Sequence, residues 1–467
     1  MPDSKANRWL ILALVCTASF MMVLDFSIIT VALPDIEVAL NFSQQILQWV
    51  VSAYALTFGG FLLLGGRAAD LFGRRRMFII GVVLFTVASL LAGLAVDRIM
   101  LLIARSFQGI GAAIVSPSAL SILLVTFPEG NERNKALTIW GAMAAGGIAA
   151  GVLLGGVLTS ALSWRWVLIV NVPIGLLVLA VTPLLLKSRY KRPAPPYIDW
   201  PGALAITIGL VFVVYSLERA GSAGWRSVQL IVASSIATVS LVAALWIEAR
   251  SPAPLLPLSI FRRRSIVAGM LIGALMNAAL GAGVIILTLY MQKVLQYSPL
   301  QAGLSFLPVA VVAVGSAPFA PKLAARFGTK YTLTGSISMV AVGLLALSRV
   351  PVEGNFWTDL LPGGIAIGLG IVITQVSISI TATSGVSDSE EGLVSGLLTT
   401  SQQIGSALGL AILIAVAAIR TRAVSDGAAE ASAAALTAGY QAALLTGASF
   451  AALAIVVSLV VIKRKKP

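Results

Sequence analysis

The sequence predicts an all-α polytopic membrane protein. It is expected to have 14 transmembrane helices: two six-helix bundles in a parallel repeat, plus two inserted helices. Three observations lead there. Of the 467 residues, 58% are hydrophobic and 11% charged, with mean hydropathy +0.97, whereas a soluble domain is roughly half apolar and a quarter charged. Apolar runs of about 20 residues, enough for one helical span, recur along the whole chain. The loops after the second and tenth runs share a pattern. The composition excludes a soluble enzyme, a disordered chain and a collagen-like fibre. With no histidine and the single Cys16, it also excludes a disulfide framework and leaves no His or Cys metal site. No metal or other cofactor is expected.

The spans are read at 9–33, 47–66, 77–96, 99–124, 137–161, 166–186, 201–217, 228–247, 266–290, 301–320, 331–348, 358–379, 394–419 and 440–462. Their length and continuity argue for helices, since barrel strands would be short and alternating. Lys5 and Arg8 before Trp9–Met22 resemble a signal peptide. No small-x-small cleavage site follows and the run continues to Leu33, so a retained first span is expected. With the N-terminus inside, 23 of the 32 Lys and Arg residues fall in cytoplasmic segments and 8 in outer loops, with Arg105 inside a span. By the positive-inside rule both termini are cytoplasmic in a multi-pass protein of the cell membrane. Most of the +14 charge is therefore a topology signal, and Lys463–Lys466 is an anchor, not a nucleic-acid site. All nine tryptophans lie near span ends, as an interfacial belt requires.

The shared loop pattern reads Gly66-Arg67-Ala68-Ala69-Asp70-Leu71-Phe72-Gly73-Arg74-Arg75-Arg76 after the second span, and Pro321-Lys322-Leu323-Ala324-Ala325-Arg326-Phe327-Gly328-Thr329-Lys330 after the tenth. Aligning Gly73 with Gly328 offsets the copies by eight spans, which places two extra spans between six-span halves. The domains are accordingly 1–190, a six-span bundle; 191–264, two extra spans with cytoplasmic linkers; and 265–467, a second six-span bundle. Parallel repeats with a site at their interface are a transporter architecture.

Asp25 is the one acidic residue well inside a predicted span, and Arg105 the one basic residue deep in a span. Intramembrane ionisable groups are costly and by default functional. Loss of water disfavours a carboxylate's charge and a nearby cation favours it, so a carboxylate under both influences can change protonation with its surroundings. The bland alternatives are a permanent packing pair for Asp25 and a carbonyl pin for Arg105. In span 5, Gly147, Gly151 and Gly155 are four apart on one face, followed by Gly156; span 13 carries Gly392, Gly396, Gly405 and Gly409. Such faces permit close helix packing, and rocking between states is the stronger reading. Gly66, Asp70, Gly73 and Arg74 form a candidate gating loop, in which Asp70 suits a helix N-terminus and Arg74 can pair with Glu129 or Glu132. Phe26, Tyr54, Gln108, Asn277, Gln375 and Gln402 are candidates for lining a substrate cavity, although most polar groups in spans bond neighbouring helices. No Gly-x-x-x-x-Gly-Lys-Ser/Thr sequence supplies an ATP-driven motor.

These residues resemble the major facilitator superfamily, specifically its fourteen-span drug:proton antiporters. Leu24-Asp25-Phe26-Ser27-Ile28-Ile29-Thr30-Val31-Ala32-Leu33-Pro34 is similar to the first-span motif whose acid is linked to proton coupling. Gly66–Arg76 resembles the gating loop, and Arg105–Ala113 the fourth-span motif whose arginine is linked to proton transfer. Ser163–Gly175 and Tyr290–Gly303 resemble two further family stretches. Val152 stands where the span-5 motif has proline, and Ser27 and Thr30 where Thr and Asn are usual. With no acid well inside a span of the second half, where relatives that take dicationic drugs carry more intramembrane acids, a bulky dication fits poorly, and a neutral, zwitterionic, anionic or weakly cationic amphiphile fits better.

The resemblance implies a proton-coupled secondary active exporter, of the multidrug efflux and antibiotic resistance type, working by alternating access. It is expected to be a monomer whose partners are hydrophobic or amphiphilic small molecules, protons and the bilayer. A proton gradient supplies the energy. A proton-linked symporter importing a small organic solute and a non-transporting lipid- or ligand-binding membrane protein are the alternatives.

Overall fold

A computed structural model describes residues 5–127, 131–186, 200–223, 227–251, 254, 262–383, 391–425 and 432–461. Among these residues the secondary structure is helical, with no strand. In order, the helices are α1 (Lys5–Ala39), α2 (Gln44–Leu47), α3 (Trp49–Phe72), α4 (Arg74–Gly93), α5 (Arg98–Thr126), α6 (Asn131–Ala161), α7 (Trp166–Ile169), α8 (Asn171–Leu185), α9 (Trp200–Ala223) and α10 (Val228–Arg250). They continue as α11 (Arg264–Lys293), α12 (Pro299–Ser305), α13 (Leu307–Ser316), α14 (Phe319–Phe327), α15 (Thr329–Leu347), α16 (Leu361–Thr383), α17 (Glu391–Val424) and α18 (Ala433–Val461). A π-helical turn, Phe356–Leu360, leads into α16.

Eleven helical stretches among the described residues are long and apolar enough to cross a membrane, and Trp49–Leu62, Ala150–Ala161 and Trp200–Ser216 are shorter apolar helices. The chain is thus an all-α polytopic membrane protein. Large apolar side chains lie exposed along these helices, for example Val87, Leu91 and Ile103, as expected of a surface solvated by lipid tails.

Local chemistry sets the boundaries. Asp97 caps α5 by accepting from the Met100 amide at 2.8 Å. Ser298 and Gln301 form a capping box at α12, with Pro299 at its first position. The expected span 301–320 is broken into α12, α13 and α14, with Pro308 in the first turn of α13 and Pro318 just before α14, as proline's missing N–H and ring sterics require.

The two loops aligned in the sequence have one geometry. Gly73 and Gly328 are the positive-φ glycines among the described residues, at φ 95° and 81°. Each joins two helices as a single residue. The Gly73 amide donates to Ala69 O and its carbonyl accepts from Met77 N; Gly328 does the same with Ala324 O and Thr332 N. A side chain would be strained there, which is why both positions are glycine.

The chain divides into two compact units, one of 1–42, 49–207 and 244–255, the other of 43–48, 208–243 and 256–467. The segment 191–264 is shared between them. Within the first unit α1 packs on α6 and α3 and α4 on α5; within the second α11 packs on α17 and α18, and α15 on α16. Cys16 is buried in the apolar core of the first unit.

Candidate functional site

A polar network lies in the middle of the first unit, assembled by four helices. Asp25 comes from α1, Arg105 and Gln108 from α5, Ser89 from α4, and Asn171 is the first residue of α8. All five are fully buried. Arg105 and Gln108, three apart, share a helix face. Arg105 Nη1 donates to Asp25 Oδ2 at 2.5 Å and to Gln108 Oε1 at 2.9 Å, while its Nε donates to Val50 O at 2.9 Å. Gln108 Nε2 reaches Asp25 Oδ1 at 3.1 Å and Ser89 Oγ at 2.6 Å. Asn171 Nδ2 donates to Asp25 Oδ1 at 2.8 Å. The Asp25 carboxylate thus receives three N–H donors from three side chains, an arrangement that suits its ionised form.

The guanidinium also lies 4.6 Å from the Tyr54 ring centroid, a cation–π contact. Tyr54 stands between Phe26 at 6.0 Å and Phe58 at 5.9 Å. Two network atoms, Arg105 Nη2 and Asn171 Oδ1, are buried without a hydrogen-bond partner.

The span-5 glycine face meets α1 beside this network. A Cβ on Gly147 would lie 3.1 Å from Val23, one on Gly155 2.7 Å from Ile28 O, and one on Gly151 2.8 Å from Leu24 O and closer still to Ser27 Oγ. Ser27 Oγ in turn donates to Gly147 O at 3.2 Å. Gly156 is buried. Glycine is required at Gly151 and Gly155 because backbone stands where a side chain would go.

The remaining sequence candidates fall elsewhere. In the second unit, Gln402 Nε2 reaches Gln375 Oε1 at 3.4 Å, and Gln402 packs on Gly273, whose carbonyl accepts from Asn277 Nδ2 at 3.0 Å. Gln108 has both ends of its amide engaged inside the network. Asp70 lies on α3 with its side chain outside the described residues, and Glu129 is outside the described residues altogether; a Cβ on Gly66 would meet Pro117 at an ordinary 3.5 Å. Arg74 begins α4, and Glu132 lies 3.7 Å from Arg8. Sequence reasoning missed Ser89 and the Val50 carbonyl, which carry no local signal. It also missed Glu248, read as lying just past span 8 but here within α10 and 3% exposed.

The chain matches the Major Facilitator Superfamily over residues 15–410. It is 39% identical to the puromycin resistance protein pur8 of Streptomyces alboniger, over 88% of this chain and 82% of that one. It is also 39% identical to the cephamycin export protein CmcT of Amycolatopsis lactamdurans, over 88% and 85%. Its fold is similar to that of the nucleoside transporter NupG, with a TM-score of 0.66 at 13% identity, covering 97% of this chain and 100% of that one. Matched along most of its length by the superfamily and by relatives named for resistance and export, the chain belongs to the Major Facilitator Superfamily and is a transporter, not an enzyme.

Proposed function

We propose that the protein is a proton-coupled secondary active exporter of hydrophobic or amphiphilic small molecules, working by alternating access. The observation that carries the proposal is the buried Asp25–Arg105 pair. A carboxylate held in a sealed, low-dielectric core is expensive, and an intramembrane ion pair between two helices is a place where a proton can replace a cation as the carboxylate's partner. Asp25 takes a proton from the outer side and releases it inside. Arg105 favours release by restoring the pair. The direction of transport is supported by the two relatives named for antibiotic resistance and export.

The reading extends to the architecture: fourteen spans, six in each bundle and two inserted, with bundles 1–190 and 265–467 and both termini cytoplasmic in the cell membrane. The matching geometry of Gly73 and Gly328 supports the repeat. Gly66, Asp70, Gly73 and Arg74 form the gating loop, and Gly147, Gly151, Gly155 and Gly156 the close-packed surface on which helices rock. Phe26 and Tyr54 in the first unit, and Asn277, Gln375 and Gln402 in the second, are the side chains we assign to substrate contact, while Gln108, buried with both ends of its amide engaged, serves the Asp25 network. The protein works as a monomer, with a proton gradient as its energy source.

Reconstituted liposomes test this with puromycin as the probe. With an acidic lumen, antiport drives puromycin inward as luminal protons leave, and Asp25→Asn abolishes the accumulation. Accumulation that needs an acidic exterior would identify a symporter, and binding without accumulation a non-transporting protein. Either result overturns the proposal.

A further inference from the structure

The network is built for a carboxylate, and yet the function proposed for it requires a carboxylic acid as well. Three donors and no acceptor face Asp25. An ionised carboxylate only accepts, but the protonated form carries an O–H that needs an acceptor once buried. Gln108 cannot provide one without loss, because its Oε1 accepts from Arg105 and its Nε2 is held by Ser89 as well as by Asp25. Asn171 is different. Its Nδ2 donates to Asp25 Oδ1, and its Oδ1 is buried with no hydrogen-bond partner. Half a turn of the amide about its terminal torsion exchanges the two ends.

We propose that Asn171 is a positioning residue whose amide turns over as Asp25 gains and loses its proton. The proposal rests on the reading of Asp25 as the coupling carboxylate. When a proton from the outer side bonds to Asp25 Oδ1, the Asn171 N–H donor bond to that oxygen is lost. The turned amide then presents its oxygen, which accepts from the new O–H. On release the O–H bond breaks, the proton leaves to the inner side, and the amide turns back to donate. Arg105, freed from its counter-charge in the neutral state, keeps its bonds to Val50 O and Gln108 Oε1 and its seat on the Tyr54 ring.

The surroundings leave Asn171 little competition. The helices packed against α1 are α3, α5, α6, α7 and α8. Of these, α5 brings Arg105 and α3 brings Tyr54 to the site. The other charged residues of α3, Arg67 and Asp70, lie near its far end. From Ala136 to Ala161 in α6, and throughout α7 and α8, there is no ionisable side chain. Arg165, which precedes α7, is turned to the carbonyl of Ala95 at 2.7 Å.

The test compares full-length wild type, Asn171→Leu, Asn171→Ser and Asp25→Asn in liposomes, following puromycin accumulation driven by an acidic lumen across a range of pH. Leucine matches the size of asparagine but neither donates nor accepts. It removes one hydrogen bond from each protonation state, so the maximal rate falls about tenfold while the midpoint of the pH profile moves by less than about half a unit. Serine, whose hydroxyl rotates to donate or accept, restores most of the rate. A fixed donor would serve the charged form alone. Its loss would retain the maximal rate and move the midpoint about one unit to higher pH, and that result overturns the proposal, as does a leucine variant identical to wild type. If Asp25→Asn still accumulates puromycin, the underlying reading has failed; if only Asn171→Leu is silent in effect, the positioning role alone has failed.

A second measurement does not depend on how the leucine variant folds. In infrared difference spectra of protein carrying ¹³C-labelled asparagine, taken between acid and alkaline pH, an asparagine C=O band should move together with the Asp25 carboxylic-acid band. The asparagine band should vanish in Asn171→Ser. A carboxylic-acid band that appears with no asparagine band beside it overturns the proposal.

Discussion

Two helix pairs in this molecule use the same packing device around different contents. In the first unit α1 meets α6 through Gly147, Gly151 and Gly155; in the second α11 meets α17 through Gly405, whose Cβ would lie 2.6 Å from Ala274 Cα, and Gly409, whose Cβ would lie 2.5 Å from Ala278 O. Both bring backbone against backbone. In the first pair α1 also holds a carboxylate bonded to an arginine, whereas the polar groups near the second are amides and hydroxyls, Asn277, Gln402 and Ser406. Close approach is therefore a property both units can build from small residues, and burying charge is a separate addition made at α1 and α5. The neutral pair serves as an internal control for what the charge contributes.

The largest expected effect is the loss of gradient-driven transport in Asp25→Asn. Its counterpart, Asn277→Leu on α11, should leave proton coupling intact, measured as protons moved per puromycin transported in the same liposomes. If both variants uncouple, the contrast between the units is wrong.

Arg105→Leu comes next. Removing one partner of a buried ion pair leaves the other uncompensated and costs about 3–5 kcal/mol, read as a lower midpoint of thermal unfolding in detergent. Arg105→Lys keeps the charge but not the planar fork that spans Asp25, Gln108 and Val50, so transport should fall even where stability largely returns.

Smaller effects follow at the glycines. Gly73→Ala and Gly328→Ala each place a side chain on a positive-φ backbone and should cost about 1–3 kcal/mol; equal losses would support treating the two loops as copies. Gly151→Val and Gly409→Val overpack their interfaces by about 1–3 kcal/mol. The first should also impair proton coupling, by pushing α1 and Asp25 away from Arg105, and the second should not. Smallest of all is Gln402→Leu, within about 0.5 kcal/mol of wild-type stability, with a changed apparent affinity for puromycin and unchanged proton dependence.

Much of this was legible from residue type alone. Hydrocarbon makes charge expensive, so Asp25 and Arg105 stood out before any geometry was known, and their pairing follows from that cost. The apolar runs located the helices for the same reason. Pro308 and Pro318 stand where the expected tenth span breaks, and their ring chemistry is readable from the sequence itself. Asn171 is one polar residue among several in the apolar runs; nothing in its local pattern says that its amide points at a residue 146 positions away. Ser89 is one of many serines in spans, most of which bond their own helix. Helix-face periodicity reports which side of a helix is polar and carries no information on the partner it meets.

The one-residue connectors at Gly73 and Gly328 have a consequence for chain length. An inserted residue could be looped out at such a corner, but a deleted one leaves nothing to turn the chain. Shortening by one residue would draw α4 back about 1.5 Å and rotate it about 100° around its axis. Ser89, which now receives the Gln108 amide at 2.6 Å, would swing toward a different neighbour. The corner therefore sets the rotational phase of α4, and tolerance to length change here should be lopsided, with additions survivable and single deletions felt in the buried network.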